Sequence, residues 1–140
     1  MDMVGTYYFA VFCPVPEGGY AVWFPDVPEA NTEGMDMAEA MDMAHDALKL
    51  SLEEYVKAGR SLPRPSPVES VRRMAEASNA EEGFAPAGEM LFQLIAAPDM
   101  DRTPVKVTIS MPRNALTALD RKAERAGMTR SGYIASMALA

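Results

Sequence analysis

Near its C-terminal end the chain reads Val105-Lys106-Val107-Thr108-Ile109-Ser110-Met111. Its side chains alternate strictly between apolar and polar, which is the period of a β-strand with one buried face. The apolar face carries Val105, Val107, Ile109 and Met111, and the polar face carries Lys106, Thr108 and Ser110. The sequence therefore predicts a strand over residues 105–111.

Two short helices are predicted after this strand. Pro112 suits a first helical turn, because its missing N–H would be unpaired there in any case. Gly127 is a good residue to end the first helix, and Thr129 can cap the second. The apolar residues at helical spacing are Leu116, Leu119 and Ala123 in the first helix and Tyr133, Ile134 and Met137 in the second. Each helix therefore has one apolar face.

One strand and two short helices cannot bury this much apolar surface alone. If two copies pair their strands across a two-fold axis, the apolar faces pack on four helices. The polar faces then form a two-stranded ribbon, which fits the major groove of DNA. The expected dimer core consists of Val107, Ile109, Met111, Leu116, Leu119 and Ile134. The alternative is an ordinary edge strand with helices that only pack on it.

Over residues 103–139 the chain resembles the ribbon-helix-helix DNA-binding family. The matching features are the alternating strand, the Leu-x-x-Leu-Asp run from Leu116 to Asp120, and Gly127-Met128-Thr129-Arg130-Ser131 between the helices. The resemblance implies that Lys106, Thr108 and Ser110 face base edges. It also implies that Thr129, Arg130 and Ser131, at the start of the second helix, hold a phosphate through backbone N–H groups and the helix dipole.

Charge is distributed very unevenly along the chain. From Arg102 onward there are seven Lys or Arg residues and two acids, a net charge of +5. Residues 1–101 carry six Lys or Arg and eighteen Asp or Glu, a net charge of −12, and the two parts add to the −7 of the whole chain. This asymmetry indicates two partners of opposite charge.

Length and composition bound the remaining possibilities. A chain of 140 residues, 49% of them hydrophobic, can hold one ordinary domain and a small second one. No apolar run is long enough to span a membrane, so we expect no membrane partner. The start, Met1-Asp2-Met3-Val4-Gly5-Thr6, lacks the basic and apolar regions of a secretory signal. The single cysteine suits a reducing cytoplasm, which is the expected location.

The acidic part is predicted to be a separate domain over residues 1–98, with 102–140 as the second domain. Strands are predicted over residues 4–12, 20–24, 30–33 and 90–96. Pro25 and Pro28 predict that the chain leaves the sheet between the second and third strands. Residues 62–88 are expected to be a Pro-rich connection, within which residues 68–77 could form one or two helical turns.

One long amphipathic helix is predicted between the third and fourth strands. Asp36 is expected to cap it together with Glu39, and Gly59 to end it. Its apolar stripe consists of Met37, Met41, Ala44, Leu48, Leu52 and Tyr55. The order strand-strand-strand-helix-strand predicts an α+β sheet with a helix on one face.

The sequence offers little for catalysis or metal binding. Two-metal nuclease chemistry needs clustered carboxylates, usually beginning on the first strand, and that strand has none. Asp26, Glu29 and Glu33 lie in a predicted turn and a short strand. His45, the only histidine, is expected at the surface of the helix, and Cys13, the only cysteine, in the core. We therefore expect no catalytic residue, no metal site and no cofactor.

The acidic domain resembles the HicB antitoxin family over residues 6–65, and with the tail the resemblance extends over 88–139. The matching residues are Gly19-Tyr20, Trp23-Phe24-Pro25-Asp26-Val27-Pro28-Glu29, Thr32-Glu33-Gly34, and Ala40, Ala44 and Leu48 of the helix. The resemblance implies a partial ribonuclease-H-like fold for this domain. It also implies a partner: HicA, a small basic toxin that binds and cleaves messenger RNA and is blocked by steric masking.

We therefore expect an antitoxin of a type II toxin-antitoxin system that is not an enzyme. Residues 1–98 would neutralise a HicA-like toxin, and the dimeric ribbon-helix-helix domain would bind operator DNA and repress its own operon. The expected assembly is a homodimer or a higher homo-oligomer. Two alternatives stay open: a ribbon-helix-helix regulator whose first domain senses a small molecule, and a catalytic ribonuclease-H-like protein.

Overall fold

The computed structural model describes residues 6–140, and the chain divides into two compact units, Met1–Asp101 and Arg102–Ala140. The first unit is built on a four-stranded sheet. Its strands, β1 to β4, cover Tyr7–Pro14, Tyr20–Phe24, Val27–Gly34 and Leu91–Ala96. They lie in the order β3-β2-β1-β4, and all neighbours are antiparallel. The predicted α+β class is confirmed, while Val4 and Gly5 of the predicted first strand lie outside the described residues.

The turn between β1 and β2 depends on two glycines. Gly18 and Gly19 have φ angles of 96° and 80°, which side chains rarely tolerate. A Cβ on Gly19 would also lie 2.5 Å from the carbonyl oxygen of Gly34. This close approach brings the start of β2 against the end of β3, where Tyr20 pairs with Gly34.

The third strand is longer than predicted. We expected the chain to leave the sheet between Pro25 and Pro28, but β3 begins at Val27, which pairs with Phe24 after a shift in register. Pro28 is tolerated because β3 lies at the edge of the sheet, where a missing N–H breaks no ladder. The prolines therefore make the turn tight without ending the sheet.

The long helix, α1, covers Met37–Lys57 and begins as predicted. Asp36 Oδ1 accepts the N–H of Glu39 at 2.8 Å, and Glu39 Oε1 accepts the N–H of Met35 at 2.7 Å. Gly59 follows its end with a φ of 69°. The buried residues of this helix are Ala40, Ala44, Leu48, Leu52 and Tyr55. The predicted stripe is confirmed, with Met37 and Met41 only partly buried at its margin and Ala40 added.

The connection between α1 and β4 was predicted wrongly. A second helix, α2, covers Val68–Glu82, 15 residues rather than one or two turns. Three prolines precede it, but the last of them, Pro67, is its N-cap, a position where proline is no obstacle. The element order is therefore strand-strand-strand-helix-helix-strand.

The two helices pack on opposite faces of the sheet, so the expected single helical layer is also wrong. Successive side chains of β1 point to opposite faces of the sheet. Tyr8, Ala10 and Phe12 belong to the cluster that contains the buried face of α1. Val11 belongs to a smaller cluster with Val71 and Ala75 of α2. The first unit is thus a sheet covered by α1 on one side and, over a smaller area, by α2 on the other.

The second unit contains two helices, α3 over Arg113–Arg125 and α4 over Arg130–Leu139. Gly127, with a φ of 68°, ends α3 as predicted. Thr129 caps α4, its Oγ1 accepting the N–H of Gly132 at 3.1 Å. None of the helices in residues 6–140 has the length and apolar character needed to cross a membrane.

Candidate nucleic-acid and partner interface

The alternating segment, residues 105–111, belongs to no strand pair of the described chain. Its apolar side chains face solvent in the single chain: Val105 is 77% exposed, Val107 79% and Ile109 66%. Isolated exposed apolar residues are ordinary, but three in strict alternation on one segment are an unpartnered face.

The helices of the second unit also have an incompletely covered apolar face. Ala123 is buried between them, whereas Leu116, Leu119 and Tyr133 are only half-buried. Ile134 and Met137 are 36% and 50% exposed. Every residue predicted for the dimer core is therefore at least partly exposed in the single chain.

The polar residues of the segment lie on its other side by alternation. Lys106, Thr108 and Ser110 are all exposed. Within the described residues, none of the three takes part in an ion pair. They are accessible, as a base-reading surface requires.

Arg130 makes a contact that the sequence did not indicate. Its Nε and one terminal nitrogen donate to the two carboxylate oxygens of Asp120, at 2.8 and 2.9 Å. This bidentate pair joins the start of α4 to α3. The hydrogen bonds from Arg130 hold the pKa of Asp120 below its usual value, and the same contact raises the pKa of Arg130. Thr129 and Ser131, the other predicted phosphate-contact residues, are exposed.

Two of the three acids considered for chemistry in the first unit, Asp26 and Glu29, have structural partners. Asp26 accepts hydrogen bonds from the backbone N–H and the hydroxyl of Ser66, at 2.8 and 2.7 Å. Glu29 accepts one from the hydroxyl of Tyr55 at 2.7 Å, which lowers the pKa of Glu29, and Arg60 lies 3.6 Å from its second oxygen. The contacts of Asp26 hold the segment that follows α1, and those of Glu29 join β3 to the end of α1.

Cys13 and His45 are placed as predicted. Cys13 is fully buried, and its burial raises the pKa of the thiol, so it is a poor nucleophile. His45 is exposed on α1. Among residues 6–140 no group of three or more His, Cys, Asp or Glu is close enough to hold a metal ion.

A groove of about 250 Å³ lies between β3 and α1. It is lined by Glu29, Asn31, Thr32, Met43, Asp46, Ala47, Leu50 and Ser51. Sequence reasoning missed it, because it considered only the apolar stripe that faces the core. The available signal was Met43 and Leu50, two apolar residues spaced seven apart outside the core stripe.

A family described as the HicB_like antitoxin of bacterial toxin-antitoxin systems matches residues 8–138 of this sequence. The chain belongs to this HicB-like antitoxin family. The match includes both units, so the suspected HicB resemblance is confirmed for the chain as a whole.

Curated HicB antitoxins match a shorter segment. Antitoxin HicB of Escherichia coli is 46% identical over 63 residues, 45% of this chain and 46% of that protein. Antitoxin HicB 1 of Photorhabdus laumondii is 51% identical over 55 residues, 39% of this chain and 36% of that protein. The chain thus matches less than half the length of these HicB relatives.

Solved structures match nearly the full HicB-like chain. A toxin-antitoxin complex from Streptococcus pneumoniae aligns with a TM-score of 0.57 and 20% identity, covering 97% of this chain and 98% of that one. The antitoxin HicB of Burkholderia pseudomallei aligns with a TM-score of 0.51 and 23% identity, covering 96% of each chain. At these identities the likeness shows the fold alone.

Proposed function

We propose that this chain neutralises a HicA-like toxin that cleaves messenger RNA, and that it represses its own operon by binding operator DNA. The observation that carries the proposal is the match of the HicB-like antitoxin family to residues 8–138. The division into an acidic and a basic unit supports two separate binding functions. Residues 1–98 would bind the toxin, and residues 102–140 would dimerise and bind DNA.

The exposed apolar face of the second unit supports the homodimer. Val107 and Ile109 would pair with their copies across a two-fold axis, since a strand needs a neighbour for its backbone groups. The half-buried Leu116 and Leu119 would then be covered by the partner subunit. Pairing in this way forms a ribbon-helix-helix fold with a two-stranded ribbon on the outside.

The ribbon would present Lys106, Thr108 and Ser110 to base edges in the major groove. The start of α4, at Thr129 and Ser131, would hold a DNA phosphate with its backbone N–H groups. Arg130, which the family resemblance places at the DNA phosphate, has a second role within the protein. Its contact with Asp120 fixes the direction of α4, while the net charge of +5 in the unit supplies attraction to DNA.

Toxin neutralisation is proposed as masking without chemistry. A protein that binds RNA needs positive charge, and the first unit, with a net charge of −12 over residues 1–101, attracts such a surface. Two of the acids examined for catalysis, Asp26 and Glu29, hold Ser66, Tyr55 and Arg60 instead. The groove between β3 and α1, at about 250 Å³, is below the usual size of a small-molecule pocket, so a ligand-sensing regulator is not favoured.

The test is copurification from cells that express the tagged chain together with a short basic protein encoded in the adjacent gene. The proposal expects a stable complex with that protein and a specific gel shift on the promoter of the same operon. If the tagged chain is recovered without the basic protein, and the promoter is bound no more tightly than unrelated DNA, both parts of the proposal fail.

A further inference from the structure

The groove between β3 and α1 has apolar lining residues, which the acidic charge of the unit does not by itself explain. Met43, Ala47 and Leu50 lie on one side of α1 and line it, since residues three and four apart are neighbours on a helix. Leu50 is 64% exposed and Met43 39%. These side chains give the groove an apolar floor beside the edge of the sheet.

The charged groups at the groove are all acidic. Glu29 on β3 and Asp46 on α1 line it, and no Lys or Arg is among its lining residues. Glu29 is occupied by Tyr55 and by Arg60 from outside the groove. Within the described residues, Asp46 has no ion pair. A cation from a partner would therefore find Asp46 available next to the apolar floor.

The sheet has a second edge, and its chemistry is different. β4 carries no charged residue, and its Leu91 and Leu94 are 44% and 47% exposed. That edge suits an apolar partner. The β3 edge, with Glu29 and Glu33 on the strand and Asp46 beside it, suits a basic one. Like charges would also discourage a second copy of this acidic unit from docking on the β3 edge.

We propose that the β3–α1 groove is the surface that receives the toxin, and that it takes an apolar toxin side chain flanked by Lys or Arg. This inference rests on the proposed antitoxin function. Leu50 and Met43 supply the apolar contact, and Asp46 supplies the charge that selects a basic partner. A small buried apolar centre with charged groups around it is the usual anatomy of an interface with a strong anchor.

The experiment measures the Kd between the full chain and the toxin encoded beside it, by calorimetry, for wild type and four variants. Leu50→Lys and Asp46→Lys alter the groove. Leu94→Lys is the matched control at the β4 edge, and Glu76→Lys is the matched charge reversal on the exposed side of α2. Circular dichroism on each variant establishes that it is folded, which is expected because all four positions are exposed.

The proposal expects both groove variants to weaken binding by at least about tenfold, the loss of one good interface anchor, and both controls to stay within a factor of about three. Asp46→Lys should also reduce the salt dependence of binding. If wild type binds but only Leu94→Lys weakens it, or no groove variant does, the surface is wrong and the antitoxin function stands. If wild type does not bind the toxin, the proposed function fails, and the surface with it.

Discussion

Single polar side chains in the first unit fasten the chain segment that follows α1. Asp26 receives two hydrogen bonds from Ser66, and the hydroxyl of Tyr8 donates to the carbonyl oxygen of Pro63 at 2.6 Å. Burial, with the nearby charge of Asp26, raises the pKa of Tyr8, so this phenol remains a donor at neutral pH. Asp26, which was considered as a catalytic acid, therefore has a structural role: it anchors this loop.

Replacing Asp26 should loosen this anchor. We expect Asp26→Ala to lower the free energy of unfolding by about 1–3 kcal/mol, because two half-buried hydrogen bonds to a carboxylate are lost. Urea denaturation followed by circular dichroism measures it. Glu33→Ala, at an exposed position on β3, is the control and should change stability by less than about 0.5 kcal/mol. Equal effects for the two variants would refute the anchoring role.

At the scale of secondary-structure elements, the predictions that were correct rested on the periodicity of hydrophobic residues. The stripe of α1 and its cap at Asp36 are visible in the sequence, because a buried helix face repeats every three or four residues. The same signal is weak in α2, where only Val71 and Ala75 are buried. Clustered prolines before it favoured a connection, although Pro67 is a good starting residue. Whether a weakly amphipathic segment is a helix depends on the sheet face available to it, which local sequence does not report.

The covering role of α2 can be measured through Val71. We expect Val71→Ala to destabilise the protein by about 2 kcal/mol, since it leaves a gap against Val11 in the smaller core cluster. Glu76→Ala, on the exposed side of the same helix, should change the unfolding free energy by less than about 0.5 kcal/mol. Thermal and urea unfolding of both variants give the comparison. A neutral Val71→Ala would mean that α2 does not cover the sheet.

The contact between α3 and α4 predicts a pH effect. Hydrogen bonds from Arg130 lower the pKa of Asp120 in the folded chain. A lowered folded pKa gives stability that is present above the unfolded pKa of about 3.9 and is lost as pH falls through the folded value. The effect is small, because both side chains are about half exposed.

Carboxyl-carbon NMR titration of Asp120 tests this contact directly. In Arg130→Gln the pKa of Asp120 should rise toward its ordinary value, whereas in Arg121→Gln it should stay as in wild type. Should Asp120 titrate identically in all three proteins, Arg130 does not hold α4 against α3 in solution.

At the scale of the whole molecule, the sequence indicates which faces of the alternating segment need partners, but it does not reveal every contact and binding surface. The alternation of residues 105–111 separates Ile109 from Thr108 without any structure, because the strand period is two. The fork between Arg130 and Asp120 and the groove at Leu50 are each formed by side chains on two different elements. They required the three-dimensional fold.

Substitutions on the two faces of the alternating segment should have different effects. Ile109→Asp should dissociate the proposed dimer, because it places an unpaired charge in the core that two copies would share. Thr108→Ala should leave the dimer intact and weaken operator binding by about 1–3 kcal/mol, as the loss of a base contact does. Light scattering and gel-shift titration on both variants separate these outcomes. A dissociated Thr108→Ala with an intact Ile109→Asp would reverse the assignment of the faces.

We propose above all that this chain blocks a toxin without chemistry of its own. The most direct measurement is a titration of the adjacent gene's toxin with the full chain while cleavage of a messenger RNA is followed. We predict that cleavage falls in proportion to added chain, stops at a fixed stoichiometric ratio, and that the chain alone leaves the RNA intact. Undiminished cleavage at a large excess of the chain, or cleavage by the chain alone, would show that the chain does not act by masking.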